Sequence, residues 1–395
     1  MPNFIASSLK ELSFPFGNDK IKFLWQANGR NERLIYTKNE DEGFFLVVKP
    51  GKNGVVVKGE KLTKPAKVGL LQEALELFKE QSCNGIISQA FAVKKTNLTK
   101  KVSEILSLEE FVPAFCELKD KFKEIFIEIG FGSGRHLLYQ AKNNPNALVI
   151  GIEVYKPSIE QVAKLARANA LENVRLINTD ARLLLSLVGS NLVDRVFLHF
   201  PVPWDKAEHR RVVSSAFALE CERILKLGGK FELRTDSKEY CDFSLSKFLE
   251  PANSKIEAFK NRNLEVTSKY EDRWRRQDKD IYDVIYTCEA KSDESVLAGD
   301  FSFKEKTSVK NIIKNFKNFI IKKEDHFLHF EEIYTINEGE ILLKVAFGAF
   351  NKPEQCFIKI SDEKSEYFIK KPILIRENLA AHELLKEYLA DARDN

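Results

Sequence analysis

The sequence predicts an α/β protein: a doubly wound, mostly parallel sheet over residues 121–290, a basic linker and helix at 93–120, and small α+β regions at 1–92 and 300–395. Three observations predict it. The apolar run Ile125–Ile129 breaks into glycines at 130, 132 and 134 and continues as an apolar-periodic segment, which reads as strand, glycine turn and helix start. Strand and helix patterns then alternate to about Ala290, as a doubly wound sheet requires. Finally, Glu128, Glu153, Asp180 and Asp236 fall at the carboxyl ends of predicted strands, the edge along which such sheets bind ligands.

In chain order, Ile21–Trp25, Leu34–Tyr36, Phe44–Val48 and Val55–Lys58 are apolar or β-branched runs separated by turn residues, and Val68–Lys79 has helical spacing. Lys94-Lys-Thr-Asn-Leu-Thr-Lys-Lys101 is uncompensated positive charge, read as a solvated linker or as an arm along a phosphate backbone. A helix over Ser103–Lys119 leads into the central region. There the expected strands end at Glu128, Glu153, Asn178, Phe200 and Thr235, followed by Leu264–Lys269 and Ile281–Cys288. Pro157 opens a helix, Ser214–Leu225 is a helix closed by Gly228-Gly229, and Glu239–Leu249 is another. Past a polar spacer at 291–295, Ser308–Ile321 reads as an amphipathic helix with Lys306, Lys310, Lys314 and Lys317 along one face. That stripe is either a solvated face or a surface for a polyanion such as tRNA. Strands near Glu332–Ile336, Ile341–Ala346, Cys356–Ile360 and Tyr367–Lys370 and a helix over Leu379–Leu389 close the chain. Phe44-Phe-Leu-Val-Val-Lys-Pro50 resembles Tyr367-Phe-Ile-Lys-Lys-Pro372, so the two ends are expected to be related modules or to pack together.

At 395 residues two or three domains are expected, and an apolar fraction of 44% supports sizeable cores. A net charge of only +4 means that any nucleic-acid surface must come from local clustering. The six cysteines (83, 116, 221, 241, 288, 356) have neither disulfide nor zinc spacing, so reduced thiols and no metal are expected. No run is long and apolar enough for a membrane span and the first residues lack a signal-peptide pattern, so a cytoplasmic protein without a membrane partner is expected. Oligomeric state is not legible.

A dinucleotide-binding loop wants its third glycine where this chain has Arg135, which argues against an NAD oxidoreductase. The acidic strand end before Gly130, Gly132 and Gly134 resembles instead the first motif of S-adenosylmethionine-dependent methyltransferases. The acids suit that cofactor: Glu128 for the methionine ammonium, Glu153 for the ribose diol and Asp180 for the adenine amine. Each acid, taken alone, is more often a turn or helix cap; four along one sheet edge beside a glycine loop point to a site.

Ile127-Glu-Ile-Gly-Phe-Gly-Ser-Gly134, Gly151-Ile-Glu-Val154, Phe200-Pro-Val-Pro-Trp204 with Lys206, His209 and Arg210, Thr235-Asp236, and Ser268-Lys-Tyr-Glu271 with Arg273 together resemble the bacterial tRNA (guanine-N7)-methyltransferases. The resemblance covers residues 121–290. It implies the seven-stranded, Rossmann-like methyltransferase sheet, S-adenosyl-L-methionine as cofactor, and the variable-loop guanine of tRNA, position 46, as substrate. It also implies a cofactor site of Glu128, Gly130, Gly132, Gly134, Glu153 and Asp180, and substrate contacts by Lys206, His209, Arg210, Asp236, Ser268 and Glu271. Asp236 and Glu271 are the catalytic candidates. Val202 stands where the family has Asp between the prolines, and both terminal regions are extra to the compact family form. A methyltransferase for another RNA or a small molecule, and a non-catalytic RNA-binding protein of the same fold, are the alternatives.

Overall fold

The computed structural model describes residues 2–65, 67–91, 104–294, 297–304 and 306–394; the basic stretch 94–101 lies outside the described residues. The chain forms two compact units, a terminal unit of Met1–Asn97 with Leu297–Asn395 and a central unit of Leu98–Val296. The N-terminal part contains β1 (Asn3–Leu9), β2 (Phe16–Gly17), β3 (Lys22–Asn28), β4 (Arg33–Lys38), β5 (Gly43–Gly51), β6 (Gly54–Gly59), α1 (Val68–Ser82) and β7 (Cys83–Ala90). The central unit runs β8 (Ile105–Leu106), α2 (Leu108–Leu118), β9 (Glu124–Ile129), α3 (Arg135–Asn143), β10 (Ala147–Ile152), α4 (Lys156–Ala168), β11 (Val174–Ile177), α5 (Ala181–Leu187), β12 (Val193–His199), α6 (Ser215–Ile224), β13 (Leu225–Thr235), α7 (Lys238–Phe248), β14 (Ser254–Lys260), α8 (Lys269–Arg275) and β15 (Tyr282–Cys288). The C-terminal part holds α9 (Val309–Asn315), β16 (Phe319–Lys322), β17 (His326–Asn337), β18 (Glu340–Ala349), β19 (Glu354–Ser361), β20 (Ser365–Phe368) and α10 (Arg376–Asp394).

The central sheet has the order β14-β15-β13-β12-β9-β10-β11-β8. Strands β8 to β13 pair in parallel, and β15 is antiparallel to both β13 and β14. Seven strands form the expected methyltransferase sheet, with short β8 added at one edge. Both faces are covered, which explains the near-continuous apolar strands. On one face Ile127, Ile150, Val196 and Leu233 meet Leu184, Phe217 and Tyr240. On the other, Phe126, Val149, Leu176 and Phe197 meet Leu137, Val162 and Ala166.

Four local expectations are corrected. Leu264–Lys269 is not a strand: it is irregular chain up to Ser268, whose hydroxyl caps α8 by accepting the Glu271 N–H. The strand before β15 is instead β14, a largely exposed edge segment with little apolar signal. Gly228-Gly229 does not close α6, which ends at Ile224. Gly228, at φ +80°, lies in a bulge of β13 where Val193 to Arg195 face Leu225 to Lys230. The helix expected from Ser103 begins at Leu108 behind a Ser107–Glu110 capping box. The fourth is the basic amphipathic helix, which stops at Asn315. Phe319–Lys322 is strand β16, with Phe319 stacked on Phe330 of β17 at 4.7 Å between ring centroids.

The ends, drawn as two regions in the sequence and expected to be related modules or to pack together, share one sheet of order β20-β19-β18-β17-β3-β4-β5-β6-β1-β7, with β2 beside β3 and β16 beside β17. The halves run the same course: β2 to β6 then α1, and β16 to β20 then α10, joined by the antiparallel contact of Asn28 with Thr335. Helix α1 packs Leu71, Leu75 and Phe78 on Phe23, Phe44 and Leu46 of its half. Helix α10 packs Ala381, Leu385 and Leu389 on Leu328, Ile341 and Ile358 of the other. The opposite faces meet through Ala27, Leu34, Phe45 and Val47 against Tyr334, Leu342 and Phe357. The two halves of the one sheet therefore face each other, with a helix on the outer side of each. The similarity of residues 44–50 to 367–372 matches β5 with β20, although β19 holds the equivalent place in the repeat.

Candidate active site

Strand β9 lies between β10 and β12, so the chain leaves its carboxyl end in opposite directions and opens a crevice there. The loop above β9 has three left-handed glycines, Gly130 (φ +68°), Gly132 (φ +51°) and Gly134 (φ +72°). No atom lies within 4 Å of where a Cβ on Gly130 would stand, so the loop borders open space there. A Cβ on Gly134 would run into the Val162 side chain. Gly134 thus both turns the chain into α3 and lets α4 approach it.

Glu153 closes this loop. One carboxylate oxygen accepts the Gly132 N–H at 3.1 Å, and the other accepts Val154 N–H at 2.8 Å and Tyr155 N–H at 3.0 Å. Glu128, buried under the loop, pairs with His136 Nδ1 at 2.7 Å. Burial pulls the His136 pKa down, but the Glu128 charge and hydrogen bond outweigh it, so it stands above the usual histidine value. The His136 ring lies 4.4 Å from that of His199, and His199 Nε2 is 3.1 Å from Glu232. Burial raises the Glu232 pKa; His199 and Arg262 outweigh it and hold it down to about 2.

The structure brings Glu128, Gly130, Gly132 and Ser268 round one cavity of about 40 Å³ that also meets His136 and His199. A larger cleft of about 660 Å³ continues from Gly132 and Ser133 to Tyr155, Ser158, Arg273 and Arg276. Helix α8 borders it because Arg135, the first residue of α3, pairs with Asp272 and donates to the Thr267 carbonyl. His136, Tyr155, Asp272 and Arg276 had no signal in the sequence beyond their nearness to the motifs, and Arg135 figured only as the residue in place of a glycine.

Other expected site residues lie elsewhere or are engaged. Asp180 caps α5, accepting the Arg182 N–H at 2.9 Å, and its carboxylate pairs with the Arg182 guanidinium at 2.6 Å. Asp236, at the end of β13, pairs with Lys279 at 2.9 Å. Ser237, not Asp236, caps α7. Glu271, too, is engaged: its side chain is 1% exposed and bound by Arg234 and Arg275, each at 2.8 Å.

Lys206, His209 and Arg210 are exposed, with Arg210 5.0 Å over the half-exposed Trp204 ring. They follow a stretch bracketed by two left-handed residues, Phe200 (φ +51°) and Trp204 (φ +48°), a strained backbone of the kind found at functional sites, and His209 and Arg210 lie in the 3-10 turn Glu208–Arg210. The next residue, Arg211, is buried: it donates to the Pro203 carbonyl at 2.7 Å and lies 4.7 Å over Phe243. It holds the loop in place. Val202, between the prolines, is 62% exposed. Among the described residues no cluster of His, Cys, Asp and Glu is placed to hold a metal, and no helix is long and apolar enough to cross a membrane.

Comparison with known proteins agrees with this geometry. The family model described as "Putative methyltransferase" matches residues 123–284. A tRNA (guanine-N(7)-)-methyltransferase of Campylobacter fetus is 53% identical over 99% of each chain. One from Campylobacter jejuni is 50% identical over 98% of each, and one from Wolinella succinogenes is 35% identical over 99% of this chain and 100% of its own. Both terminal regions are therefore shared with these relatives. Glycine loop, sheet order and full-length kinship agree: the chain belongs to the tRNA (guanine-N(7)-)-methyltransferase family.

Proposed function

We propose that this enzyme transfers a methyl group from S-adenosylmethionine to N7 of the variable-loop guanine of tRNA, position 46, in the cytoplasm. The observation that carries the reading is the left-handed glycine loop closed by Glu153 beside the 660 Å³ cleft, in a chain whose full length follows its relatives. The site's chemistry suits the cofactor: an acid under the loop, an acid at the end of β10, and open space along the glycine backbone. When bound, S-adenosylmethionine supplies a methyl group activated by its sulfonium.

Guanine N7 carries an in-plane lone pair, so the chain has no proton to remove in that step. Its task is positioning and electrostatics. Glu128 and Glu153 orient the cofactor's amino-acid and ribose ends. Lys206, His209 and Arg210 supply donors for phosphate, and Trp204 an aromatic surface for a base. Asp236 offers negative charge to a ring that becomes cationic on methylation.

The test is unmodified tRNA incubated with enzyme and labelled cofactor, followed by nucleoside mass spectrometry. The expected product is 7-methylguanosine, absent when the target base is 7-deazaguanine. Label retained with 7-deazaguanine overturns the N7 assignment. Glu153→Ala should weaken S-adenosylhomocysteine binding by tenfold or more, since hydrogen bonds to a charged group contribute about 1.5–3 kcal/mol. Isothermal titration checks this, and an unchanged affinity removes Glu153 from the cofactor site.

A further inference from the structure

The central stretch 98–296 holds 31 Lys and Arg against 31 Asp and Glu; the terminal stretches 1–97 and 297–395 hold 31 against 27. The whole chain's excess positive charge therefore sits in the terminal unit. Within it, the β3–β4 and β5–β6 turns lie at the same end of the sheet and border a cleft of about 660 Å³, lined by Arg30, Glu32, Arg33 and Lys49 with the Asn28–Gly29 backbone. Lys58 stands beside Lys49: burial, then the Lys49 and Lys61 ammonium groups, hold its pKa below the usual lysine value despite Glu32.

Among the described residues, Arg30, Arg33, Lys49 and Lys58 form no ion pair within 4 Å. The one acid of the cleft lining, Glu32, accepts the hydroxyl of buried Tyr334 at 3.0 Å, and its charge offsets only part of the burden on Lys58. Gly29 permits this bond, because a Cβ there would lie 2.6 Å from the Tyr334 ring. The internal repeat supplies a control. The corresponding hairpin of the other half, between Asn337 and Glu340, is compensated, with Lys359 on Glu340 at 2.7 Å. Gathering like charges without partners is unfavourable in the free protein, and an anion bound there relieves it.

We propose that this cleft is a phosphate-backbone site for tRNA, one that grips the substrate through a part other than the reacting base. The inference rests on tRNA being the substrate. Guanidinium forks and ammonium groups match phosphodiester oxygens, and such interactions fix position without reading sequence. The proposal places the grip on Arg30, Arg33, Lys49 and Lys58 and leaves the exposed Lys310, Lys314 and Lys317 of the stripe as either a solvated face or a further polyanion surface. The stripe's helix is cut short, and Lys306 is paired with Glu363.

The test uses the full chain and an unmodified tRNA transcript, with two variants: Arg30→Gln/Arg33→Gln/Lys49→Gln/Lys58→Gln, and the milder Arg30→Glu/Lys49→Glu. Both are checked for native circular dichroism; the pair stands if the quadruple fails to fold. Expected are a tenfold or larger rise in KM for tRNA, an unchanged kcat, and unchanged S-adenosylhomocysteine affinity. The slope of log affinity against log salt, between about 50 and 200 mM, should flatten by about 0.7–0.9 for each phosphate the variant no longer neutralises. A folded variant with the wild-type slope and KM overturns the proposal, whether the cleft is then a solvated face or a seat for an acidic protein. Wild-type enzyme that binds tRNA but makes no 7-methylguanosine overturns the functional reading instead, and the salt slope still decides the cleft.

Discussion

Arg234→Met should destabilise the central unit by about 3–5 kcal/mol, the usual cost of removing one partner from a buried ion pair. Arg234 is fully buried and holds two carboxylates at once: Asp283 through Nη1 at 2.5 Å, and Glu271 through Nε at 3.0 Å and Nη2 at 2.8 Å. Nη2 also donates to the Arg262 carbonyl at 2.8 Å, tying β13, β15, α8 and the chain before α8 together. Met fills similar volume but leaves Asp283 and Glu271 facing each other's surroundings without their cation. Urea unfolding followed at Trp204 and Trp274, both in the central unit, should show an earlier transition. A loss below about 1 kcal/mol would mean that Arg262 and Arg275 hold the carboxylates without help. Glu271→Gln separates the two roles given to that residue. If Glu271 only anchors α8, methyl transfer per folded molecule stays near wild type while the transition moves. A hundredfold rate loss in fully folded protein marks it as a catalytic residue.

The network also explains where sequence reading stopped. The acidic ends of β9, β10, β11 and β13 were visible because a doubly wound sheet makes its carboxyl edge a binding edge. Nothing local distinguishes Glu153, which binds the glycine-loop amide, from Asp180, which is engaged as a helix cap. Glu271 follows a capping serine at the right interval, yet its partners Arg234 and Arg275 lie 37 residues upstream and four downstream. Only the pairing of β13 with β15 turns Arg234 and Asp283 into its neighbourhood. Strands buried on both faces, such as β9 and β10, announced themselves by apolar runs. Edge strands β7 and β14 did not, because most of their side chains face water. In the terminal unit, apolar and β-branched runs gave β3 to β6 and β17 to β20 but neither β1, β2 and β16 nor the shared sheet. Asn28 meets Thr335 across more than three-quarters of the chain, a pairing that no local pattern encodes.

Asp236→Asn should slow single-turnover methylation about a hundredfold, the typical cost of removing one group that stabilises charge developing in a transition state. Asp236 follows Thr235 at the carboxyl end of β13, on the sheet edge that carries the glycine loop. A purely structural role as helix cap is removed, because Ser237 accepts the Tyr240 N–H and begins α7. What remains structural is the ion pair with Lys279, whose ammonium lies 3.8 Å from the Trp274 ring centroid. Asn keeps the shape and one acceptor oxygen and loses the charge, so the electrostatic part is isolated. Lys279→Gln is the matching control. If Asp236 serves the cationic ring directly, that variant retains a rate within about tenfold of wild type, since the carboxylate keeps its charge. If the pair serves only to seat the chain around α8, both variants fall together and thermal unfolding of both shifts equally. S-adenosylhomocysteine affinity should stay constant in both, because Glu153 and the glycine loop are untouched. A near-normal rate for Asp236→Asn would leave the ring's new charge to be met by groups of the RNA itself.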